Sequence, residues 1–520
     1  MNNLKYLNKK LVGLLLTGLI ASTYSCSDKM EEITSINYSR NFSVLEITID
    51  NSQQTAITLN WEKVKNATAA TTYTVELSKD ESFANGPEYT FQTETNSITI
   101  TDEQISVRTD FYARIKANAE ENKEESKWSV SKKFRITGVQ YLEVIKYQDI
   151  LSDQVTVRWD VSKQVTHLTI NGDRVNLSAS ELTDGEKVIT GLTPATTYDV
   201  VIYDNNPDKG ITTFTTKLKV PIGTVKQLNV GDDIKLAIEG ASNGDVFVLP
   251  QGSTFIASGT IAIPNGVSIT IFGQEGPNKP TLKTAGTGFS LPGALGDIKF
   301  QNISFDGSSS QYIINQSNAA VLENLIFENC NINGYANTPI RLQAAGAKTI
   351  KKLVIDYCIV SNLAPSQNYA FIHTNVATGL VDNISITNST FYNIGLGLVL
   401  HTGVGASSLL VENCTIYDVS RETRYLIDYG SQNVASTAIN NVILSKTKFP
   451  TSNGIRMAST YKVSNSYQTS DYVVASGTFA GITNYSQSST DLFVNPTNAD
   501  FTIKDASFAG KSSAGDPRWR

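Results

Sequence analysis

The sequence predicts an all-β chain, with two small β-sandwich modules followed by a parallel β-helix. Two observations carry this. Between about Ile298 and Tyr467 a short pattern returns: alternating apolar residues, an acid, an Asn, a small residue and another apolar pair. Before residue 218 the chain instead shows short alternating strands separated by turn signals, as β-sandwiches do. A repeat of 22 to 31 residues defines the architecture, because each unit buries its apolar face only against its neighbours. The same stacking lets 520 residues fold without one large core.

The totals narrow the function. The formal net charge is -6, so no basic face is implied and nucleic acid is not an expected partner. Three His and four Cys do not make a disulfide scaffold or a Cys/His zinc cluster.

At the amino terminus, lysines at 5, 9 and 10 precede the apolar run LVGLLLTGLIA (11–21) and then STYSC. The run is too short to span a bilayer in a mature protein and reads as an export signal. The stretch ending at Cys26 resembles a bacterial lipobox. The acidic SDKMEE (27–32) resembles the signal that sends lipoproteins to the outer surface of some gut Gram-negative bacteria. The resemblance implies a signal peptide at 1–25, lipidation of Cys26, a tether at 26–32, and a lipid-anchored place on the outer membrane at the cell surface.

Strands follow at ITLNWEKV (57–64), YTVELSKD (73–80), SITI (97–100), DFYARIKA (110–117) and KWSVSKKFRI (127–136). Trp61 in an early strand with Tyr112 and Arg114 in a late one resembles a fibronectin type III module, placed at 33–137. A second, at 138–218, has VTVRWDV (155–161), HLTING (167–172) and GLTPATTYDVVIYD (191–204), in which Leu192-Thr193-Pro194 and Tyr198 resemble a tyrosine corner. His167 lies on a strand without a partner motif and reads as structural.

The helix domain is placed at 219–520. DIKLAIEGA (233–241) has apolar residues at helical spacing, with Asp232 or Asp233 as N-cap. A short helix there covers the open end of the stack. The order of this cap, GDVFVLPQGSTF (244–255) and GTIAIPNGVSITIFG (259–273) resembles the opening of right-handed parallel β-helices of the pectate-lyase-like superfamily. DLFVNPTNADFTIKDASFAG (491–510) with GDPRW (515–519) resembles their closing segment in bacterial carbohydrate-active proteins.

Within the coils, period-two alternation points Ile303/Phe305, Leu325/Phe327, Leu353/Ile355, Ile384/Ile386 and Leu409/Val411 inward. The marker residues Gly307, Asn329, Tyr357, Asn388, Asn413, Asn441 and Asn465 fall at a bend. Asn there tolerates left-handed backbone and bonds along a stack, so this column is structural. Cys330, Cys358, Ser389 and Cys414 follow and form a buried stack. The acids Asp306, Glu328, Asp356 and Glu412 form an outward row. A solvated stripe is the main reading, and Ca²⁺ held by Asp306, Glu328 and Asp356 the alternative. No other cofactor is expected.

A second column carries the candidate site. PIRLQ (339–343), FIHTN (371–375), VLHTG (399–403), LIDYG (426–430) and GIRMA (454–458), aligned on their middle residues, give Arg341, His373, His401, Asp428 and Arg456. Their apolar neighbours point in, so these five point out. At about 4.8 Å per coil they line roughly 20 Å of one face, the length of several sugar rings. Arg recognises carboxylates, and His serves as base or hydrogen-bond partner. Tyr369, Tyr425 and Tyr429 lie near enough to offer rings or hydroxyls.

The column has no pair of carboxylates of the polygalacturonase type, which weighs against glycoside hydrolysis. By resemblance, the expected function is that of an outer-membrane surface lipoprotein binding an acidic, pectin-like polysaccharide in a polysaccharide-utilisation system, alongside outer-membrane glycan-uptake proteins. One alternative is a pectate-lyase-like polysaccharide lyase on the same face, with catalytic candidates His373, His401, Arg341 and Arg456. Another is a structural or adhesive surface protein.

Overall fold

The computed structural model describes residues 38–205, 208–308 and 310–520. The signal segment, Cys26 and the tether lie outside the described residues. The described residues form two compact units, divided between residues 139 and 140.

The first unit is a sandwich of two antiparallel sheets. One holds Thr48–Asp50, Ala56–Asn60 and Ser97–Thr101; the other holds Tyr89–Thr93, Tyr73–Ser78, Tyr112–Ala117 and Ser129–Val130. Alternate residues Ile57, Leu59, Val75, Leu77, Ala113 and Ile115 are fully buried between them. Each large apolar side chain contributes about 1.5–3 kcal/mol on burial. Trp61 is buried edge-on to Tyr73, with ring centroids 5.2 Å apart. Arg114 faces the other way. Its guanidinium lies 4.5 Å from the ring centroids of both Phe83 and Trp128 and pairs with Glu76 at 2.6 Å.

The second unit begins with another sandwich. Glu186–Thr190 pairs with Gln154–Arg158, and a four-stranded sheet holds Asp173–Asn176, His167–Ile170, Thr197–Tyr203 and Asp208–Thr215. The expected corner is present: the Thr193 N–H donates to the Tyr198 hydroxyl at 2.9 Å. His167 stacks on Tyr203 at 4.6 Å within this sheet.

The rest of this unit is a parallel β-solenoid. Its three faces are parallel sheets of ten, ten and eight strands, taking one strand each from successive coils. The helix Ile234–Glu239 buries Ile234 and Ile238, and the Asp233 carboxylate caps it by accepting from the Lys235 and Leu236 N–H groups. On the first face Leu325, Leu353, Ile384 and Leu409 align in register, as do Phe327, Ile355, Ile386 and Val411.

One coil is offset from expectation. The register partners of Leu325 and Phe327 are Ile298 and Phe300, not Ile303 and Phe305. Phe305 belongs to the second face, beside Leu282 and Ile332. The bend residue of that coil is therefore Asn302 (φ 58°), not Gly307. The acid-glycine pair in ISFDGS imitates the acid-asparagine pair of the other coils five residues too late.

From Asn302 onward the bend column is a ladder. The Asn329 amide donates to Asn302 Oδ1 at 3.1 Å, Asn388 to Asp356 Oδ1 at 2.9 Å, and Asn413 to Asn388 Oδ1 at 2.9 Å. Asn441 and Asn465 continue it at 3.0 and 2.8 Å. Asn329, Asn388, Asn413, Asn441 and Asn465 all have φ between 42° and 55°. This left-handed conformation is one Asn tolerates better than most side chains. Cys330, Cys358, Ser389 and Cys414 follow, fully buried, and the three thiols are free.

The closing segment folds back onto the coils. Hairpin Phe493–Asn495 with Asp500–Ile503 packs Phe493 and Phe501 against Tyr417 and Ile443. Asp516, fully buried, accepts from the Thr390 hydroxyl at 2.7 Å, and Trp519 Nε1 donates to the same hydroxyl oxygen at 2.7 Å.

Candidate functional site

The third face of the solenoid carries the sequence-predicted column, with one change of membership. Arg341 is the register partner of His373, His373 of Leu400, Leu400 of Asp428, and Asp428 of Arg456. His401 is instead the register partner of Thr374. A one-residue shift reverses the face of a strand residue, so His401 points into the core, where it is fully buried with its ring centroid 5.3 Å from that of Tyr429. Both His401 and Tyr429 thus leave the list of ligand-facing candidates. His401 Nε2 accepts from the Val381 N–H at 3.0 Å, and its Nδ1 finds no partner among the described residues. Burial lowers its pKa.

At one end of the outward column, Arg456 and Asp428 satisfy each other. Nε and Nη2 of Arg456 donate to the two carboxylate oxygens, both at 2.8 Å, and Asp428 also accepts from the Gly430 N–H at 2.9 Å. The guanidinium lies 4.5 Å from the Tyr425 ring centroid. This bidentate pair cancels both charges locally.

The other end is different. Arg341 Nε donates to Gln343 Oε1 at 2.8 Å, and the Gln343 amide donates to Asn315 Oδ1 at 2.8 Å. Among the described residues no carboxylate pairs with Arg341, and its Nη1 is buried without an acceptor. An unsatisfied charged donor costs more than an unmade neutral hydrogen bond. Tyr369 lies 4.9 Å from the guanidinium and 5.1 Å from the His373 ring. His373 is buried, and its Nδ1 accepts from the Ala370 N–H at 3.3 Å. Burial, reinforced by the Arg341 charge, lowers its pKa to about 4. The ring is therefore neutral at pH 7. With the Nδ1 lone pair engaged, its proton resides on Nε2, which makes it a donor. Tyr312 adds a hydroxyl that accepts from the Asn337 amide at 2.7 Å.

This arrangement offers one unpaired cation, aromatic rings and hydrogen-bonding groups on a rigid sheet. It can hold a carboxylate through Arg341 and a sugar ring through the tyrosines. It is less suited to proton abstraction, because the available lone pairs of both histidines accept backbone N–H groups. Sequence reasoning missed Gln343, Asn315 and Tyr312. Gln343 sits two residues after Arg341 in the quoted PIRLQ, so its place on the same face was open to inference.

The three acids considered for Ca²⁺ do not converge. Glu328 and Asp356 are register partners on the first face, while Asp306 lies on the second. Asp306 pairs with Lys283 at 2.9 Å and Glu328 with Lys299 at 2.7 Å. Asp356 accepts from Thr387 and Asn388 at 2.6 and 2.9 Å. Among the described residues no group of three His, Cys, Asp or Glu side chains is placed to hold a metal ion. No helix among them is long and apolar enough to cross a membrane.

Three family models match parts of the chain. Residues 27–122 match the family described as SusE outer membrane protein. Residues 253–394 and 409–519 match two domains of unknown function, DUF4957 and DUF5123. No curated protein matches. Similar solved structures include the chicken CNTN1 FN1–FN3 domains, at 15% identity over 35% of this chain and 69% of that one, with TM-score 0.16. The central fibronectin-III array of RIM-binding protein matches at 14% identity over 35% and 72%, with TM-score 0.14. A two-domain fibronectin type III segment of chicken tenascin matches at 14% over 34% and 99%, with TM-score 0.19. The chain is thus SusE-like at its amino-terminal module and carries a solenoid whose matching families have no assigned chemistry.

Proposed function

We propose that this protein is a surface lipoprotein of the outer membrane that captures an acidic, pectin-like polysaccharide for a polysaccharide-utilisation system, working with outer-membrane glycan-uptake proteins. The match of residues 27–122 to the SusE family supports the location and the system. The modules at 33–137 and 138–218 act as spacers between a lipid on Cys26 and the solenoid.

The observation that carries the ligand assignment is Arg341. It is the column's cation left without a carboxylate, beside Tyr369 and the donor His373. A uronate carboxylate would supply the counter-charge that Arg341 lacks, with Tyr369 and His373 beside it meeting the sugar. The histidines favour binding over β-elimination: His373 is a neutral donor, and His401 is buried in the core.

Incubating the purified protein with polygalacturonate while following the absorbance of unsaturated uronates separates the two. Retention of the polymer without product supports capture, and sustained product formation refutes it. For the anchor, Cys26→Ala is expected to release the protein from the membrane fraction; unchanged partitioning would overturn lipidation.

A further inference from the structure

A cavity on other faces of the solenoid than the one that carries Arg341 lies where the second sandwich meets the coils. Its volume is about 320 Å³, within the range of small-ligand sites. Tyr147 builds one wall. Its ring stacks on Tyr357 at 3.8 Å, and its hydroxyl donates to Glu328 at 3.0 Å. Tyr357 replaces Asn in the bend ladder at this one coil.

Two lysines line the cavity without ion pairs among the described residues. Lys217 Nζ sits 3.7 Å from the Tyr147 ring centroid and meets no hydrogen-bond acceptor among the described residues. Lys279 Nζ donates to the side-chain oxygens of Asn329 and Asn331 at 3.0 and 3.4 Å. The carboxylates nearby are already engaged. Glu328 pairs with Lys299, and Glu275 accepts from the Ser152 N–H at 2.9 Å. Arg518, also on the wall, is neutralised by Asp516 at 2.7 Å. Burial pushes both lysines down to about 8, offset in part at Lys217 by the negative charges of Glu275 and Glu328. The side-chain amides of Gln301, Asn302, Asn329 and Asn331 also line it; they are already bonded to one another, to Lys279, to Glu328 and to the coils, and their remaining lone pairs and amide hydrogens, those of Gln301 and Asn331 above all, suit hydroxyls.

We propose that this junction cavity is a second binding site, taking a single carboxylate-bearing sugar, with Lys217 and Lys279 meeting the carboxylate and the amide side chains meeting the hydroxyls. The acid can come as a free uronic acid or as the end of a chain, which share this chemistry. The site does not depend on Arg341.

The test is isothermal titration of the full chain with sodium glucuronate, a glucuronate-terminated disaccharide, glucose and sodium sulfate at constant ionic strength. Saturable binding of glucuronate with no binding of glucose is expected. Measured in the Arg341→Gln background, which removes any contribution of the third face, saturable glucuronate binding is expected to persist, and Lys279→Met and Lys217→Met are each expected to weaken it there by about tenfold or more. If the disaccharide binds and free glucuronate does not, the occupant is a chain end; if both bind, free acids are accepted too. Equal binding of sulfate and glucuronate would overturn the sugar assignment. No saturable binding, or binding lost only in Arg341→Gln, would overturn the site. Should a Met variant unfold, Lys217→Gln and Lys279→Gln serve the same comparison, with folding checked by circular dichroism.

Discussion

Arg341 and His373 are direct register partners on adjacent coils, and the two shape each other's chemistry. The cation helps burial keep the imidazole neutral, and the neutral ring leaves Arg341 as the charged group at that end of the face.

The first prediction concerns acid stability. His373 has a folded pKa of about 4 against an ordinary 6.5. Between those values the unfolded chain holds a proton that the folded one does not, so stability rises with pH across that window and is lost as pH falls through it. The contribution is on the order of 3 kcal/mol. Urea melts from pH 7 to pH 4 are expected to lose less stability in His373→Asn than in wild type. Parallel losses would contradict the assignment.

The Asp428–Arg456 pair offers a gain of function. In Asp428→Asn the Gly430 N–H keeps its acceptor, but Arg456 loses its counter-ion. Affinity for polygalacturonate is expected to rise severalfold at low salt, with a steeper salt dependence than wild type. Titration at two ionic strengths checks this; unchanged affinity would place the ligand away from that end.

Asn413 sits in the middle of the bend ladder. Its amide donates to Asn388, its oxygen accepts from Asn441 and Arg520, and φ is 53°. Asn413→Ala loses these bonds and strains an L-residue in left-handed backbone, an expected cost of about 2–3 kcal/mol in chemical denaturation. Asn413→Gly relieves the strain and is expected to cost less.

Tyr147 fastens the second sandwich to the coils. Tyr147→Phe keeps the stacking on Tyr357 and loses only the hydroxyl bond to Glu328, with an expected cost of about 1 kcal/mol. Tyr147→Ala loses both, about 3 kcal/mol or more, and is expected to expose the junction to proteolysis. Equal behaviour of the two variants would refute the stacking contact as the main fastener.

Much of this architecture is legible in the residues, and the reasons are physical. Asn at a left-handed bend, alternating Leu and Phe, and the Asp233-capped helix are each dictated by local chemistry. The errors came from register. His401 and Leu400 are both plausible centres of VLHTG, and period two makes a single-residue slip invert the face. Asp306 entered the acid row through the same kind of slip in ISFDGS. The Asp428–Arg456 pairing and the junction cavity depend on side-chain approach between coils and modules, which spacing alone does not reveal. Tyr357 was the one visible sign of the junction, an aromatic where the ladder asks for Asn.

The most direct measurement is affinity electrophoresis of wild type and Arg341→Gln through gels containing polygalacturonate or an uncharged polysaccharide. The charged polymer is expected to retard wild type, the uncharged one to leave it unretarded, and Arg341→Gln to lose about tenfold or more in affinity. Equal retardation of wild type and Arg341→Gln by polygalacturonate, or retardation by the neutral polymer alone, would contradict capture of an acidic glycan by the third face.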